Sequence, residues 1–179
     1  QPILLEDPAT GREIQVLAAF ENDLSPDKEV NLTGRSDLIG YAFEISGVGF
    51  WARIDGWLAV TPDLRRTLGI VFLQHSETPG LGGRITESEV RKQFRPSPQR
   101  DGKGLLITPP PEGEPYIEVS AQAPEPDSTA YQRHVDAITG ATGTSTAVGR
   151  FLNEDIRAFR RAAAAAGWIP GEAREEDGA

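Results

Sequence analysis

The chain has 179 residues, a formal net charge of −9 and no cysteine. That length suits one domain with a buried core, and the negative charge argues against nucleic acid or an anionic lipid surface as a partner. The lack of cysteine, with only 2 histidines in the chain, excludes disulfides and cysteine-ligated clusters and argues against a metal site. Any redox chemistry therefore requires an organic cofactor. No apolar run approaches the roughly 20 residues that span a bilayer.

The first half of the chain is predicted to contain most of the strands. Residues 1–36 form an N-terminal extension, in which REIQVLAAF fits a short helix or a strand and ENDLSPDKEVNLTG is typical of a loop. Three β-rich runs follow, and they predict an antiparallel meander: LIGYAFEIS, FWARIDGWLAV and TLGIVFLQH. Gly47 and Gly49 match a loose dinucleotide-binding pattern. A strand rather than a helix follows them, so we interpret both as part of a hairpin turn.

The region after the meander is irregular. Thr86 and Glu89 match a capping box, which predicts that a short helix starts there. Residues 95–130 are rich in proline and glycine, and they predict a loop-rich surface insertion with one or two edge strands.

The last helix has the clearest pattern in the chain. Apolar residues recur at helical spacing from Val148 to Ala163, and Gly167 predicts the helix end. We therefore expect an α+β domain at residues 37–167, an antiparallel sheet with flanking helices, followed by a disordered tail at residues 168–179.

The stretch DAITGATGTSTAVGRFL, residues 136–152, collects hydroxyls and glycines ahead of that helix. We predict that the helix begins near Thr144 or Ser145. The unpaired N–H groups of its first turn would then form an anion site beside residues 139–143. The alternative is a simple cap made by Ser145. A P-loop is excluded because the stretch lacks the lysine that would reach a phosphate.

The stretch HSETPGLGG, residues 75–83, is the second candidate. Its glycines let the backbone lie against a flat ring, which Leu81 can cover, while Glu77 and Thr78 can bond the polar edge of the ring or a sugar-like chain. The alternative is an ordinary connecting loop with a structural His75.

Together these two motifs, with GYAFEISGVGFWARIDGWLAV ahead of them, resemble the FMN-binding domain found in the G subunit of Rnf complexes and the C subunit of Nqr complexes. The resemblance covers roughly residues 38–160 and implies a domain of that fold. It also implies FMN bound covalently, through a phosphoester made by a flavin transferase. The family's acceptor signature, Asp-x-x-(Ser/Thr)-Gly-Ala-Thr, is matched in full by Asp136 to Thr142. Thr142 is therefore the predicted attachment point, and Thr139, Thr144 and Ser145 are hydroxyls that are not modified.

The resemblance further implies which residues surround the flavin. Trp51 is the best positional match for an aromatic residue on one ring face, with Trp57 second. An ordinary core position for Trp51 is the alternative. We predict no catalytic residue and no metal. The remaining predicted cofactor-binding residues are Thr139, Gly140, Ala141, Glu77, Thr78, Gly80, Leu81 and Gly82.

The expected function is electron relay by a subunit of a membrane-bound oxidoreductase, with the other subunits of that complex as partners. We expect it on the extracytoplasmic (periplasmic) face of the inner membrane, anchored by a helix ahead of residue 1. The proline-rich region 95–130 does not match either subunit type well. Two alternatives remain: a regulatory module that senses redox state through its FMN without turnover, and a non-redox adhesion or scaffold domain.

Overall fold

A computed structural model of the chain describes residues 2–21 and 37–169. Five strands form one antiparallel sheet in chain order. They are β1 (Ile3–Glu6), β2 (Glu13–Phe20), β3 (Leu38–Val48), β4 (Arg53–Val60) and β5 (Thr67–Gln74). The predicted meander is thus confirmed as β3, β4 and β5. The loop predicted at ENDLSPDKEVNLTG lies outside the described residues from residue 22 onward.

The second half adds two α-helices and a small parallel sheet. The helices are α1 (Ser88–Lys92) and α2 (Thr142–Ala165), and the parallel strands are β6 (Glu118–Ser120) and β7 (His134–Asp136). Short 3₁₀ helices lie at Gly82–Thr86, Pro98–Arg100 and Tyr131–Arg133. The expected α+β fold, an antiparallel sheet with flanking helices, is confirmed.

The core lies between one face of the five-stranded sheet and α2. Side chains alternate along β3 and β4, so that Phe43, Ile45 and Leu58 are fully buried. The Phe43 ring stacks on Phe159 of α2, with ring centroids 4.0 Å apart. Because α2 presents its apolar face to the sheet, its first turn is held at a fixed place relative to the strand ends.

The run REIQVLAAF is a strand and not a helix. β2 pairs with β3 on one side and with β1 on the other, both antiparallel. Leu5, Ile14 and Val16 enter the same core as the rest of the sheet. The segment before residue 37 therefore extends the sheet, while the predicted domain limits themselves stay a prediction.

The capping-box prediction was wrong. α1 begins at Ser88, after Glu87, and no side chain caps it. The Thr86 hydroxyl instead donates back to the Gly83 carbonyl at 3.1 Å, within the preceding 3₁₀ turn. The short helix itself is present, but it starts one residue later than a cap at Thr86 would place it.

The loop-rich region at 95–130 is not confined to the surface. Leu105, Ile107 and Ile117 are fully buried in the main core. Arg133 holds the neighbouring backbone by donating to the Thr108 carbonyl at 2.9 Å. The short apolar runs therefore hold this region against the main core. Composition alone did not distinguish such runs from edge strands.

α2 ends close to Gly167, as the sequence predicted. Gly167 takes a positive φ of 77°, and the Trp168 N–H donates to the Ala163 carbonyl at 2.8 Å. The Trp168 ring then stacks on Tyr41, 4.8 Å between centroids. From residue 170 onward the predicted disordered tail lies outside the described residues. In the part of the chain that the structure describes, no helix combines the length and apolar character needed to traverse a bilayer.

Candidate functional site

Three segments that are distant in the sequence meet at one end of the sheet. They are the tip of the β3–β4 hairpin (residues 49–52), the loop after β5 (residues 75–83) and the start of α2. The hairpin forms as predicted, closed by a hydrogen bond from the Gly49 N–H to the Ala52 carbonyl at 2.8 Å. The two motifs singled out in the sequence are thus brought together, with the hairpin as a third component.

The start of α2 is open. The helix begins at Thr142, two or three residues before the predicted start, with Ala141 as its N-terminal flanking residue and no side-chain cap. Thr142 is exposed, and none of the described residues hydrogen-bonds its hydroxyl. The first N–H groups of α2 have no partner within the helix, and the exposed Thr142 hydroxyl lies beside them.

The hydroxyls of Thr144 and Ser145 differ from that of Thr142 because both are buried and hydrogen-bonded. Thr144 donates its hydroxyl hydrogen to Oε2 of Glu77. The Ser145 hydroxyl oxygen accepts the Ile138 N–H at 2.9 Å. That bond closes the turn ahead of α2, so the cap by Ser145, which the sequence left as an alternative, is not formed.

Glu77 is buried, 4% exposed, rather than presented to solvent. Its Oε1 accepts the N–H groups of Phe50 at 2.9 Å and Trp51 at 3.1 Å. Its Oε2 accepts the Thr144 hydroxyl. Both oxygens are therefore engaged by the protein.

The rest of the loop contacts both neighbours of the site. The Trp51 indole N–H donates to the Thr78 hydroxyl oxygen at 3.0 Å. A Cβ added at Gly140 would lie 3.5 Å from Leu81, which places this side chain beside the acceptor motif. Trp51 and Leu81 are 66% and 46% exposed, so Trp51 is not a core aromatic.

Glycines allow these segments to approach one another closely. Gly140 has a positive φ of 80°, which lets the chain turn sharply into α2. Gly82 is buried, and an added Cβ would come within 2.3 Å of Thr144 Oγ1. Gly80 also has a positive φ, 73°, and an added Cβ there meets nothing within 4 Å. Thr139 is exposed, and Ala141 is buried.

Sequence reasoning missed two members of the site, Phe50 and Gly143. The Phe50 ring packs against Gly143, where an added Cβ would lie 2.4 Å from the ring. The same ring meets Trp51 edge-on, 4.9 Å between centroids at 88°. The sequence did contain a signal for Phe50, because this residue lies between Gly49 and Trp51 at a predicted hairpin tip. Trp57, the second choice for an aromatic residue, lies within β4 on the sheet face opposite the buried Leu58.

The three segments of the site lie within a region of the chain that matches a known protein family. The model of the FMN-binding domain matches residues 49–157, more than half of the chain. The chain belongs to the FMN-binding domain family. The matched range contains the hairpin tip, the loop after β5 and the start of α2.

Curated relatives of this domain are named as the C subunit of Na(+)-translocating NADH-quinone reductase. The protein from Pseudomonas aeruginosa is 30% identical over 109 residues, 61% of this chain and 38% of that protein. The protein from Yersinia pestis is 36% identical over 110 residues, 61% of this chain and 36% of that protein. The chain thus spans well under half the length of these two relatives.

Solved structures of two relatives share the fold. NqrC from Shewanella oneidensis superposes with a TM-score of 0.60, at 23% identity, over 84% of this chain and 60% of that one. The C subunit of the Na(+)-translocating NADH-quinone reductase from Parabacteroides distasonis gives 0.60 at 24% identity, over 90% and 76% of the two chains. At these identities the likeness establishes the architecture alone.

The residues present fit FMN. A flavin mononucleotide has a flat apolar ring and an anionic phosphate, and the site offers exposed Trp51 and Leu81 beside an uncapped helix start. Gly140, which carries no side chain, lets a ligand approach the backbone closely just before the helix start. Among residues 2–21 and 37–169, no group of acidic or histidine side chains could hold a metal ion.

Proposed function

We propose that this chain carries FMN covalently, through a phosphoester to Thr142, and serves as an electron-relay module of an Nqr-like or Rnf-like membrane oxidoreductase. A flavin transferase attaches the FMN. Oxidation and reduction of the isoalloxazine ring supply the redox chemistry when the cofactor is bound. The protein contributes the tether, the ring contacts and the exposure of the site.

The observation that supports this proposal most directly is the state of the hydroxyls at the start of α2. Thr142 completes the acceptor signature and has an exposed hydroxyl that no described residue engages. Thr144 and Ser145, two and three residues further on, are buried and hydrogen-bonded. A transferase that approaches from solvent therefore meets the Thr142 hydroxyl at the helix start.

Electrostatics favour a phosphoester at this position. A phosphate diester keeps one negative charge, whereas a free monoester carries about −1.5 to −2 near neutral pH. The N–H groups of the first helical turn and the positive end of the helix dipole stabilise an anion there. Nothing in the site activates Thr142 as a nucleophile, since the nearby carboxylate of Glu77 is already occupied by three donors. This is why attachment requires a separate enzyme.

The exposure of the site suits a relay. Trp51 and Phe50 are 66% and 59% exposed, so groups held between them and Leu81 remain near the protein surface. A carrier must approach a donor and an acceptor in turn, which favours such a shallow position. The site lacks the paired acid and base that chemistry on a separate substrate would require.

The names of the relatives support the assignment to a complex. They are subunits of Na(+)-translocating NADH-quinone reductases and are much longer than the matched region. We propose that this domain works with other subunits of such a complex, on the periplasmic face of the inner membrane, anchored by a segment ahead of residue 1.

The test is intact mass after co-expression with a flavin transferase. The mass of the wild-type chain should rise by one FMN less water, and Thr142→Ala should abolish the rise because the acceptor oxygen is gone. Thr146→Ala is the matched control, since Thr146 is also an exposed threonine near the start of α2 but lies outside the acceptor signature, and it should be loaded like the wild type. Full loading of Thr142→Ala, or an unloaded wild type, would contradict the assignment.

A further inference from the structure

Glu77 is an unusual residue for the position it occupies. The residue is 4% exposed, and no Lys, Arg or His among the described residues lies within ion-pair distance of its carboxylate. A buried carboxylate is costly unless hydrogen bonds compensate for lost water. Here three donors do so: two backbone N–H groups and one hydroxyl.

These donors come from two different segments of the site. Oε1 accepts from Phe50 and Trp51 at the hairpin tip, and Oε2 accepts from Thr144 in the first turn of α2. One rigid side chain thus links the tip that carries the exposed aromatic rings to the helix that carries Thr142. Hydrogen bonds to a charged group are stronger than those between neutral groups.

The backbone on both sides of the carboxylate is fitted to it. A Cβ added at Gly49 would lie 2.6 Å from Oε1, and one added at Gly82 would lie 2.7 Å from Oε2. Real side chains at either position would displace the carboxylate. The two glycines therefore let the hairpin and the loop close around Glu77.

We propose that Glu77 is a positioning residue of the FMN site rather than a contact of the flavin. Its carboxylate fixes the hairpin tip relative to the start of α2, and thereby sets Trp51 and Phe50 beside Thr142. The expected effect on the loading of Thr142 with FMN rests on the proposed function. Its structural content can be tested on the FMN-free chain.

Amide hydrogen exchange of the FMN-free chain tests the link to the hairpin. Glu77→Leu fills similar space but offers no acceptor, so exchange at the Phe50 and Trp51 amides should accelerate at least about tenfold. Glu77→Gln keeps one carbonyl oxygen and should restore most of the protection. Amides of β2, remote from the site, should not change. Unchanged exchange at Phe50 and Trp51 in Glu77→Leu would overturn the proposal.

The link between Glu77 and α2 is tested with variants of Thr144, which leave the Glu77 carboxylate in place. Thr144→Val removes the hydroxyl donor, and Thr144→Ser returns it. Loading of Thr142 by the transferase should slow at least about tenfold in Thr144→Val and recover in Thr144→Ser. Equal loading rates in the wild type, Thr144→Val and Thr144→Ser would overturn the link. If Glu77→Leu fails to fold, the two Thr144 variants still test whether the Glu77–Thr144 hydrogen bond positions the start of α2.

Two controls separate this proposal from the proposed function. Glu89→Gln removes an exposed carboxylate on α1 and should alter neither exchange at the hairpin tip nor loading. A wild-type chain that takes up no FMN would contradict the proposed function, while the exchange measurement would still decide whether Glu77 holds the hairpin.

Discussion

Gly82 lies where no side chain can be accommodated. An added Cβ would come within 2.3 Å of Thr144 Oγ1, 2.7 Å of Glu77 Oε2 and 3.1 Å of Glu77 Cβ. The two contacted residues are themselves buried and joined by a hydrogen bond. A clash here therefore cannot be relieved by moving a flexible surface chain.

We expect Gly82→Ala to lower the free energy of unfolding by about 1–3 kcal/mol, the usual cost of overpacking a buried position. Gly69→Ala is the matched control, because its Cβ would meet Arg95 Cγ at an ordinary 3.8 Å and glycine is unfavourable in a strand. Urea unfolding of both variants measures the difference. Equal free energies of unfolding would show that the loop tolerates a side chain at residue 82.

At this scale the sequence predicted which segments meet, but not the hydrogen bonds that join them. Leu81 lies beside the acceptor motif, and its expected role of covering a ring stays a prediction. Glu77 and Thr78 accept hydrogen bonds from the hairpin tip, and their expected contacts with the flavin stay a prediction. The donors to Glu77 are 26, 27 and 67 positions away in the chain, and a local motif carries no information about such distant partners.

The elements themselves followed local patterns, with one instructive exception. Alternation in β3 and β4 and the helical repeat in α2 were predictable, because one face of each is buried. The start of α2 was not, because Ser145 has the character of a cap while its oxygen accepts the Ile138 N–H. That bond depends on the turn ahead of α2.

α2 is also tied to the β1–β2 turn by ion pairs in which the carboxylate is buried and the arginine is partly exposed. Arg161 donates two hydrogen bonds to Asp7, at 2.8 and 2.6 Å, and Asp7 is fully buried. Nearer the start of α2, Asp155 accepts from Arg12 and from the Ser46 N–H, the latter at 2.7 Å. Burial raises the pKa of Asp155, and these hydrogen bonds oppose the rise.

The Asp7 pair predicts a pH dependence of stability. The hydrogen bond from Arg161 lowers the pKa of Asp7 from 3.8 to about 2, although burial acts in the opposite direction. Since the folded pKa is depressed, the pair stabilises the fold above pH 3.8, and the contribution is lost as the pH falls toward 2. Asp7→Asn should therefore lower the free energy of unfolding by about 2 kcal/mol at neutral pH.

The difference between the wild type and Asp7→Asn should shrink as the pH falls through that window, as measured by urea unfolding in a pH series. Glu89→Gln serves as the control, because the Glu89–Lys92 pair is exposed and contributes little. A difference that stays constant down to the pKa of the folded state would rule out the Asp7 charge as its source.

Considered as a whole, the described molecule has one core to which the N-terminal strands contribute. Ile14 and Val16 are buried in the core that α2 shares, while Leu17, on the opposite face of β2, is 43% exposed. Sequence composition placed a boundary near residue 36, because a polar run follows β2. Sheet pairing across such a run is a long-range contact that composition does not encode.

We expect Ile14→Ala to lower the free energy of unfolding of the entire chain by about 2–5 kcal/mol. Leu17→Ala, on the same strand, should cost less than about 1 kcal/mol. Far-UV and near-UV circular dichroism should report one coincident urea transition for both variants. Two separated transitions in Ile14→Ala would mean that the first strands fold as an independent unit.

The exposed Trp51 has a practical consequence. The chain contains 3 tryptophans, of which Trp57 and Trp168 are half-buried and Trp51 is 66% exposed at the site. A small quencher dissolved in the buffer therefore reaches the Trp51 indole before the other two. Any molecule that covers this end of the sheet shields that indole, so the protein's own emission is an optical reporter of occupancy that needs no label.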